Sequence, residues 1–331
     1  MSKKRFVLVS GKSPIVQFHV DAAAFDGLDV EVAEVEIGTE RATEALKTAD
    51  VVMATVKVDA ELIATLERAR GVCILGHGFD KVDLKAATEA GIIIVNTPYV
   101  CHWEVANHAA GMILALNRSL VQYDRAVHRG VWDRPAGRPI GPLEGEVAAM
   151  IGFGAIGRSL AKRLQPFGLK VIGFDPFAED WAFREYGVER IRDLHETLAA
   201  SDYVSVQVPF NEQTRHMISD DEFQAMKPNA ALVCCGRGGV VDEDALLRAL
   251  QKGDIAKAGL DVFEKEPCDP SHPLLKLDNF IAAPHAGGES TISADWCLAT
   301  GISLAATMLR GEWPRYVINR DVQRNLRPYE G

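Results

Sequence analysis

The sequence predicts an α/β protein of two parallel-sheet domains, and three observations carry that expectation. Short β-branched runs alternate with longer helical patterns, as βαβ units require. A glycine-rich segment, G-F-G-A-I-G at 152–157, falls between one such run and a helical pattern. The chain has 331 residues, room for about two domains at roughly 150 residues each.

In chain order, the runs read as strands lie at 6–9, 51–54, 72–75, 92–95, 148–151, 170–174, 203–208 and 230–234. Helical patterns fall among them at 59–69, 84–90, 158–167 and 242–251, the last stopping just before Gly253 as a helix end should. Two further patterns, 103–120 and 290–309, are long, rich in Ala and Leu and free of proline, so each has the length to bridge two domains. One boundary is marked by Asn96-Thr97-Pro98, because proline biases its predecessor away from helix; a second follows Pro284. The segment 129–145, rich in Gly, Pro and Arg around Trp132, reads either as an arm towards a partner subunit or as a plain surface loop.

Composition narrows the function classes. Hydrophobic residues at 47% and charged residues at 25% describe a soluble globular chain rather than a fibrous or low-complexity one. Acidic residues outnumber basic ones by 46 to 36, and the net charge of −10 repels a nucleic-acid backbone or an anionic membrane. The apolar run after the N-terminal lysines stops at Ser10 and Gly11, too short for a secretion signal. No stretch reaches the roughly 18 apolar residues of a bilayer span. The six cysteines form neither a disulfide framework nor Cys-x-x-Cys metal pairs. A cytoplasmic protein without a metal site is expected.

The glycine segment has the G-x-G-x-x-G spacing of a Rossmann-like dinucleotide site. Gly152 permits the tight turn, Gly154 lets the backbone approach a pyrophosphate, and Gly157 lets helix pack on strand. The amides of Ala155 and Ile156, at a helix N-terminus, face the phosphates. Asp175, at the end of the strand 170–174, is placed to accept hydrogen bonds from the adenosine ribose hydroxyls, which favours NAD over NADP. Pro176 and Phe177 add no compensating cation, and Arg158 is the basic residue close by in sequence.

Three later segments exceed the needs of a bare cofactor domain: CCGRGGVVDEDAL around Arg237, AGLDVFEKEP around Asp261 and Glu266, and APHAGG around His285. Each follows a strand-like stretch, and ligands of open α/β sheets bind at the carboxyl ends of the strands. An arginine, a carboxylate and a histidine gathered there suit hydride transfer, which needs a cation for the carbonyl oxygen and a proton donor for the developing alkoxide.

From about residue 51 to residue 319 the sequence resembles the D-isomer-specific 2-hydroxyacid dehydrogenases. Beyond the glycine motif, the resemblance rests on G-H-G-F-D-K-V-D (76–83), A-G-I-I-I-V-N-T-P (90–98), E-V-A-N-H (104–108), V-P followed by N-E-Q-T (208–214), G-R-G-G-V-V-D-E (236–243), G-L-D-V-F-E-K-E-P (259–267) and P-H-A-G-G (284–288). It implies that Arg237 binds the carboxylate and carbonyl of a 2-oxo acid, that His285 is the acid and base, and that Glu266 orients and charges the histidine. It assigns Asp261 to the nicotinamide carboxamide, and Pro209, Thr214, Cys235, Gly236 and Gly287 to the cofactor alongside Arg237 and His285. The backbone amides of His77 and Gly78 are to receive the substrate carboxylate.

The resemblance also implies the domain plan. A discontinuous substrate domain, 1–100 and 285–331, carries an inserted NAD-binding domain, 101–284, with the two long helices as a hinge and closure around the cofactor. A homodimer joined through the cofactor domain is expected. Cys234, where the family commonly has asparagine, Asn107, where it commonly has an acid, and His77, where a small or aliphatic residue is frequent, are departures. The reading from another functional class is an NAD-sensing regulatory protein of the C-terminal binding protein type. Against it stand the complete Arg237, Glu266, His285 trio and a chain that stops soon after the fold. The latter argument also counts against a 3-phosphoglycerate dehydrogenase.

Overall fold

The computed structural model describes residues 3–12, 18–134 and 140–328, and the chain divides into two compact units, Met1–Cys101 with Ser290–Gly331, and His102–Glu289. The first unit contains β1 (Lys4–Ser10), β2 (Val30–Glu36), α1 (Glu40–Thr48), β3 (Val51–Ala54) and α2 (Ala60–Thr65). It continues with β4 (Gly71–Ile74), α3 (Leu84–Glu89) and β5 (Ile93–Asn96). The strands form one sheet in the order β2-β1-β3-β4-β5, every pair parallel. This is the flavodoxin-like order. Buried on both faces, β3, β4 and β5 are almost continuously apolar, as all-parallel sheets are.

The second unit opens with α4 (His102–Arg118) and α5 (Leu120–His128), followed by β6 (Val147–Ile151), α6 (Ala155–Leu164), β7 (Lys170–Phe174), α7 (Asp180–Glu185) and β8 (Glu189–Arg190). Then come α8 (Leu194–Ala200), β9 (Tyr203–Val206), α9 (Asp220–Ala225), β10 (Ala231–Cys234), α10 (Glu243–Lys252), β11 (Lys257–Leu260) and β12 (Phe280–Ala282). The strand order is β12-β11-β10-β9-β6-β7-β8, again parallel throughout. That is the doubly wound Rossmann order, and its switch point lies between β6 and β9, where ligands bind outside the carboxyl ends. Val204, Val206, Leu232 and Val233 are fully buried at the centre of the sheet, each contributing about 1.5–3 kcal/mol of apolar burial.

The last helix, α11 (Ser293–Leu309), returns to the first unit and packs on β3 and β4. Beyond it, buried Asn319 stitches the chain to β5. Its Oδ1 accepts from Ile94 N at 2.8 Å, and its Nδ2 donates to Ile92 O at 2.9 Å. Arg327 donates to the carbonyls of Leu66, Ala69 and Ala90.

The α/β class and both sheets match the sequence reading, but strands β2 and β8 and helices α1, α7, α8 and α9 have no counterpart in it, and several ranges differ in detail. Strand β2, at a sheet edge, carries Glu31, Glu34 and Glu36 among its apolar residues, so it lacks the unbroken apolar run of an inner strand. The helical pattern 103–120 is broken at Ser119, which is left-handed with φ 51° between α4 and α5. Lys257 Nζ fixes that break, donating to Leu116 O and to Ser119 Oγ, each at 2.8 Å. The pattern 158–167 begins earlier than expected, at Ala155, and turns into a short 3-10 segment at Pro166. Of the glycine- and proline-rich stretch 129–145, residues 135–139 lie outside the described residues. Among the described residues no helix is long and apolar enough to cross a membrane.

Candidate active site

The carboxyl end of β6 runs into the glycine loop. Gly152 has φ +93°, and a Cβ there would lie 2.7 Å from Gln207 O and 2.9 Å from Val208 Cγ1, on the chain leaving β9. A Cβ on Gly157 would lie 2.3 Å from Gly152 O, so the first turn of α6 reaches its strand only without a side chain. Gly154 differs, since a Cβ there meets open space. The loop therefore has room for a ligand at Gly154 and close protein packing at Gly152 and Gly157. No side chain caps α6, leaving its first-turn amides, those of Ala155 and Ile156 included, for an anion. These residues fit the pyrophosphate of a dinucleotide.

Asp175 follows β7 and ties two segments together. Its Oδ2 accepts from Phe153 N at 2.8 Å, inside the glycine loop, and its Oδ1 accepts from Phe177 N at 2.8 Å and Ala178 N at 3.0 Å. The carboxylate is thus held at the loop, with further lone pairs for a ribose hydroxyl. After β9, Thr214 Oγ1 donates to Pro209 O at 2.7 Å and accepts from Asn211 N at 2.8 Å. Here Thr214 shapes the loop that presents Pro209.

After β10 come Cys235, Gly236 and Arg237. A Cβ on Gly236 would lie 2.9 Å from Val208 O, and one on Gly238 would lie 1.9 Å from Phe263 O, so the turn around Arg237 is pinned between two neighbouring loops. Arg237 Nη1 donates to Gly236 O at 2.8 Å. Burial pushes the Cys234 thiol up to about 11 and raises Cys235 as well, so neither is a thiolate nucleophile near neutrality.

Asp261, 2% exposed, follows β11 and organises the histidine loop. Its carboxylate accepts from Ala286 N at 2.8 Å and Gly287 N at 2.9 Å, and its carbonyl accepts from His285 N at 2.7 Å. His285 itself adopts a left-handed backbone, φ 57°, which turns its side chain out of the loop. Glu266 Oε1 accepts from Phe263 N at 3.1 Å, and Glu266 Oε2 stands 2.9 Å from His285 Nδ1. The imidazole is 44% exposed and the glutamate 30%. With Nδ1–H given to the carboxylate, Nε2 is the nitrogen left to exchange a proton with a ligand.

The glycine loop, Asp175, Pro209, Thr214, Cys235, Gly236, Arg237, Asp261, Glu266, His285 and Gly287 all belong to the second unit. His77 and Gly78 belong to the first, on the loop after β4, where Asn96 Nδ2 donates to His77 O at 2.6 Å. The sequence reading missed His108. Its Nε2 lies 3.5 Å from Asp261 Oδ1 without hydrogen-bond geometry, and the E-V-A-N-H motif was the available signal. It also missed Arg190, whose Nη2 donates to Asp175 O at 2.7 Å. Among the described residues, no group of three or more His, Cys, Asp or Glu is arranged to hold a metal ion.

The family model described as "D-isomer specific 2-hydroxyacid dehydrogenase, NAD binding domain" matches residues 110–287. The chain belongs to the D-isomer-specific 2-hydroxyacid dehydrogenase family. It is 39% identical over 296 residues to a D-3-phosphoglycerate dehydrogenase of Methanocaldococcus jannaschii, covering 87% of this chain and 56% of that one. It is 38% identical over 289 residues to a glyoxylate reductase of Thermofilum pendens, covering 83% and 82%. Its structure resembles an NADPH-dependent glyoxylate/hydroxypyruvate reductase of Sinorhizobium meliloti with TM-score 0.83, 27% identity and full coverage of both chains. The chain spans about half the length of the archaeal phosphoglycerate dehydrogenases it matches. Asn107 Oδ1 accepts from Arg163 Nε at 2.5 Å.

Proposed function

We propose that the protein is an NAD-dependent oxidoreductase interconverting a 2-oxo acid and a D-2-hydroxy acid. The observation that carries this reading is the His285–Glu266 pair, set on loops at the carboxyl end of the sheet whose glycine cradle fits a dinucleotide. NADH, when bound, supplies the hydride for the carbonyl carbon. Arg237 grips the substrate carboxylate and carbonyl oxygen, and protonated His285 donates from Nε2 to the oxygen as it becomes a hydroxyl. In the oxidative direction the neutral ring takes that proton back. Asp261 holds the loop that carries His285 and receives the nicotinamide carboxamide. On the first unit, the loop after β4 offers the amides of His77 and Gly78 to a carboxylate. The names of the relatives put glyoxylate, hydroxypyruvate and the 3-phosphoglycerate couple among the acids to test first.

The direct test is loss of NADH absorbance with a panel of 2-oxo acids, including glyoxylate, hydroxypyruvate, pyruvate and phenylpyruvate, run beside NADPH. Turnover with one or more acids supports the proposal. NADH binding with no acid reduced points instead to the NAD-sensing class.

Glu266 Oε2, 2.9 Å from His285 Nδ1, holds the ring so that Nε2 is presented to the substrate oxygen. Glu266→Gln is therefore expected to lower kcat for 2-oxo acid reduction while NADH affinity is retained. An unchanged kcat would separate Glu266 from the proton transfer.

We also propose a homodimer through the second unit. Leu120 and Val127 of α5, with Val131 and Trp132 beyond it, are exposed, Trp132 by 89%. Neighbouring apolar groups of this kind are typical of interfaces. Light scattering should give twice the chain mass for the protein and a lower mass for Trp132→Asp; a monomeric wild type would refute the assignment.

A further inference from the structure

We infer that Asp180 is a cofactor-specificity residue: it neutralises two arginines beside Asp175 that would otherwise form a site for the 2′-phosphate of NADPH. This rests on the proposal that the glycine loop binds a nicotinamide dinucleotide.

The fold gathers these groups at one end of the sheet. Strand β8 pairs with β7, Gly173 opposite Arg190, so the residues leaving β8 emerge beside Asp175. Asp175 Oδ1 accepts from Phe177 N and Ala178 N, curling the chain so that α7 starts close by, with Asp180 at its first position. Arg190 Nη2 donates to Asp175 O at 2.7 Å while its Nη1 meets Asp180 Oδ1 at 2.5 Å. One guanidinium therefore spans the ribose acid and Asp180. Arg192 Nη2 lies 2.9 Å and 3.1 Å from the two Asp180 oxygens.

The two arginines differ in freedom. Arg190 is 13% exposed and its guanidinium lies 5.0 Å over the Phe183 ring, so it is fixed in place. Arg192 is 70% exposed and flexible enough to reach a ligand. Arg158, the cation close to the glycine loop in sequence, rests instead against Tyr186, 5.9 Å from the ring centre. The Arg190 hydrogen bond, followed by the charges of Arg192, Arg190 and Arg184, holds the Asp180 carboxyl below the ordinary carboxylate range, so it stays anionic near neutrality.

The charges of Asp175, Asp180, Arg190 and Arg192 cancel. A 2′-phosphate brought into this group meets the Asp175 carboxylate and finds both guanidinium groups engaged. Removing the Asp180 charge leaves one net positive charge and releases Arg192, whose planar fork suits a phosphate. Asp180 thus acts beside Asp175, which sequence alone identifies as the discriminating acid.

The test is calorimetric titration of wild type, Asp180→Asn and Asp180→Ser with NADH and NADPH, measuring binding without turnover. Both variants should bind NADPH about two- to five-fold more tightly, the scale of an exposed ion pair, with NADH changed by less than about two-fold. Adding Arg192→Ala to Asp180→Asn should cancel the gain. An unchanged NADPH affinity in both variants, with NADH binding retained, would overturn the inference while leaving the dinucleotide site intact. A wild type that binds neither dinucleotide would overturn the site itself, and the inference with it.

Discussion

Replacing His285 with alanine is expected to lower the rate of 2-oxo acid reduction by about 10²–10⁴-fold, the usual contribution of a positioned general acid, while NADH still binds. The geometry explains why the loss should be selective. The groups proposed to bind the cofactor, the Gly152–Gly157 loop and Asp175, are built from β6, β7 and their own hydrogen bonds. His285 stands on a different loop, whose backbone is held by Asp261 while the ring pairs separately with Glu266. Removing the ring therefore leaves Asp261 and the amides of Ala286 and Gly287 in place. Fluorescence titration with NADH and steady-state rates, measured on one preparation, separate binding from chemistry. A His285→Ala protein that kept more than about a tenth of the wild-type rate would remove the histidine from the mechanism.

The Arg237→Ala variant should lose about 10²–10³-fold in kcat, comparable to removal of a donor from a developing oxyanion, and its KM for the 2-oxo acid should rise. Arg237 is positioned by its turn as much as by its own bonds, because Gly236 and Gly238 fit between the Val208 and Phe263 carbonyls only as glycines. The guanidinium presents a planar fork to a carboxylate and its neighbouring carbonyl, whereas a lysine offers a single point of charge. Arg237→Lys should accordingly restore part of the substrate affinity but little of kcat. Equal recovery of both would mean that charge alone, rather than the fork, does the work. The thermal unfolding midpoint of both variants serves as the control for folding.

The features legible in the sequence were those whose physics is local. The glycine spacing at 152, 154 and 157 reports a turn, a close approach and a packed helix, and the Cβ clearances at the three positions agree with those separate demands. The inner strands were readable because burial on both faces makes them continuously apolar, as in β3, β4 and β6. Edge strands were harder: β2 has Glu31, Glu34 and Glu36 interrupting its apolar residues, and β8 is two residues long. The break at Ser119 depends on Lys257, a residue distant in sequence, so no pattern within 103–120 announces it.

Within the site the same division holds. Arg237, Glu266 and His285 each follow a strand and sit in recognisable motifs, but the 2.9 Å pairing of Glu266 with His285 is a product of the fold. So is the grip of the Asp175 carboxylate on Phe153 N, which joins the end of β7 to the glycine loop. Arg190 and Arg192 were invisible as neighbours of Asp175 because a parallel strand pairing, not sequence proximity, puts them there.

Reduction of a 2-oxo acid at the expense of NADH, with proton donation from His285, is checked by counting both products in one reaction: NADH oxidised, from absorbance, and hydroxy acid formed from hydroxypyruvate or phenylpyruvate, resolved by chiral chromatography. One D-2-hydroxy acid is expected for each NADH consumed in the wild type, and almost none with His285→Ala. NADH oxidation without matching D-hydroxy acid, or equal yield from the variant, would contradict it.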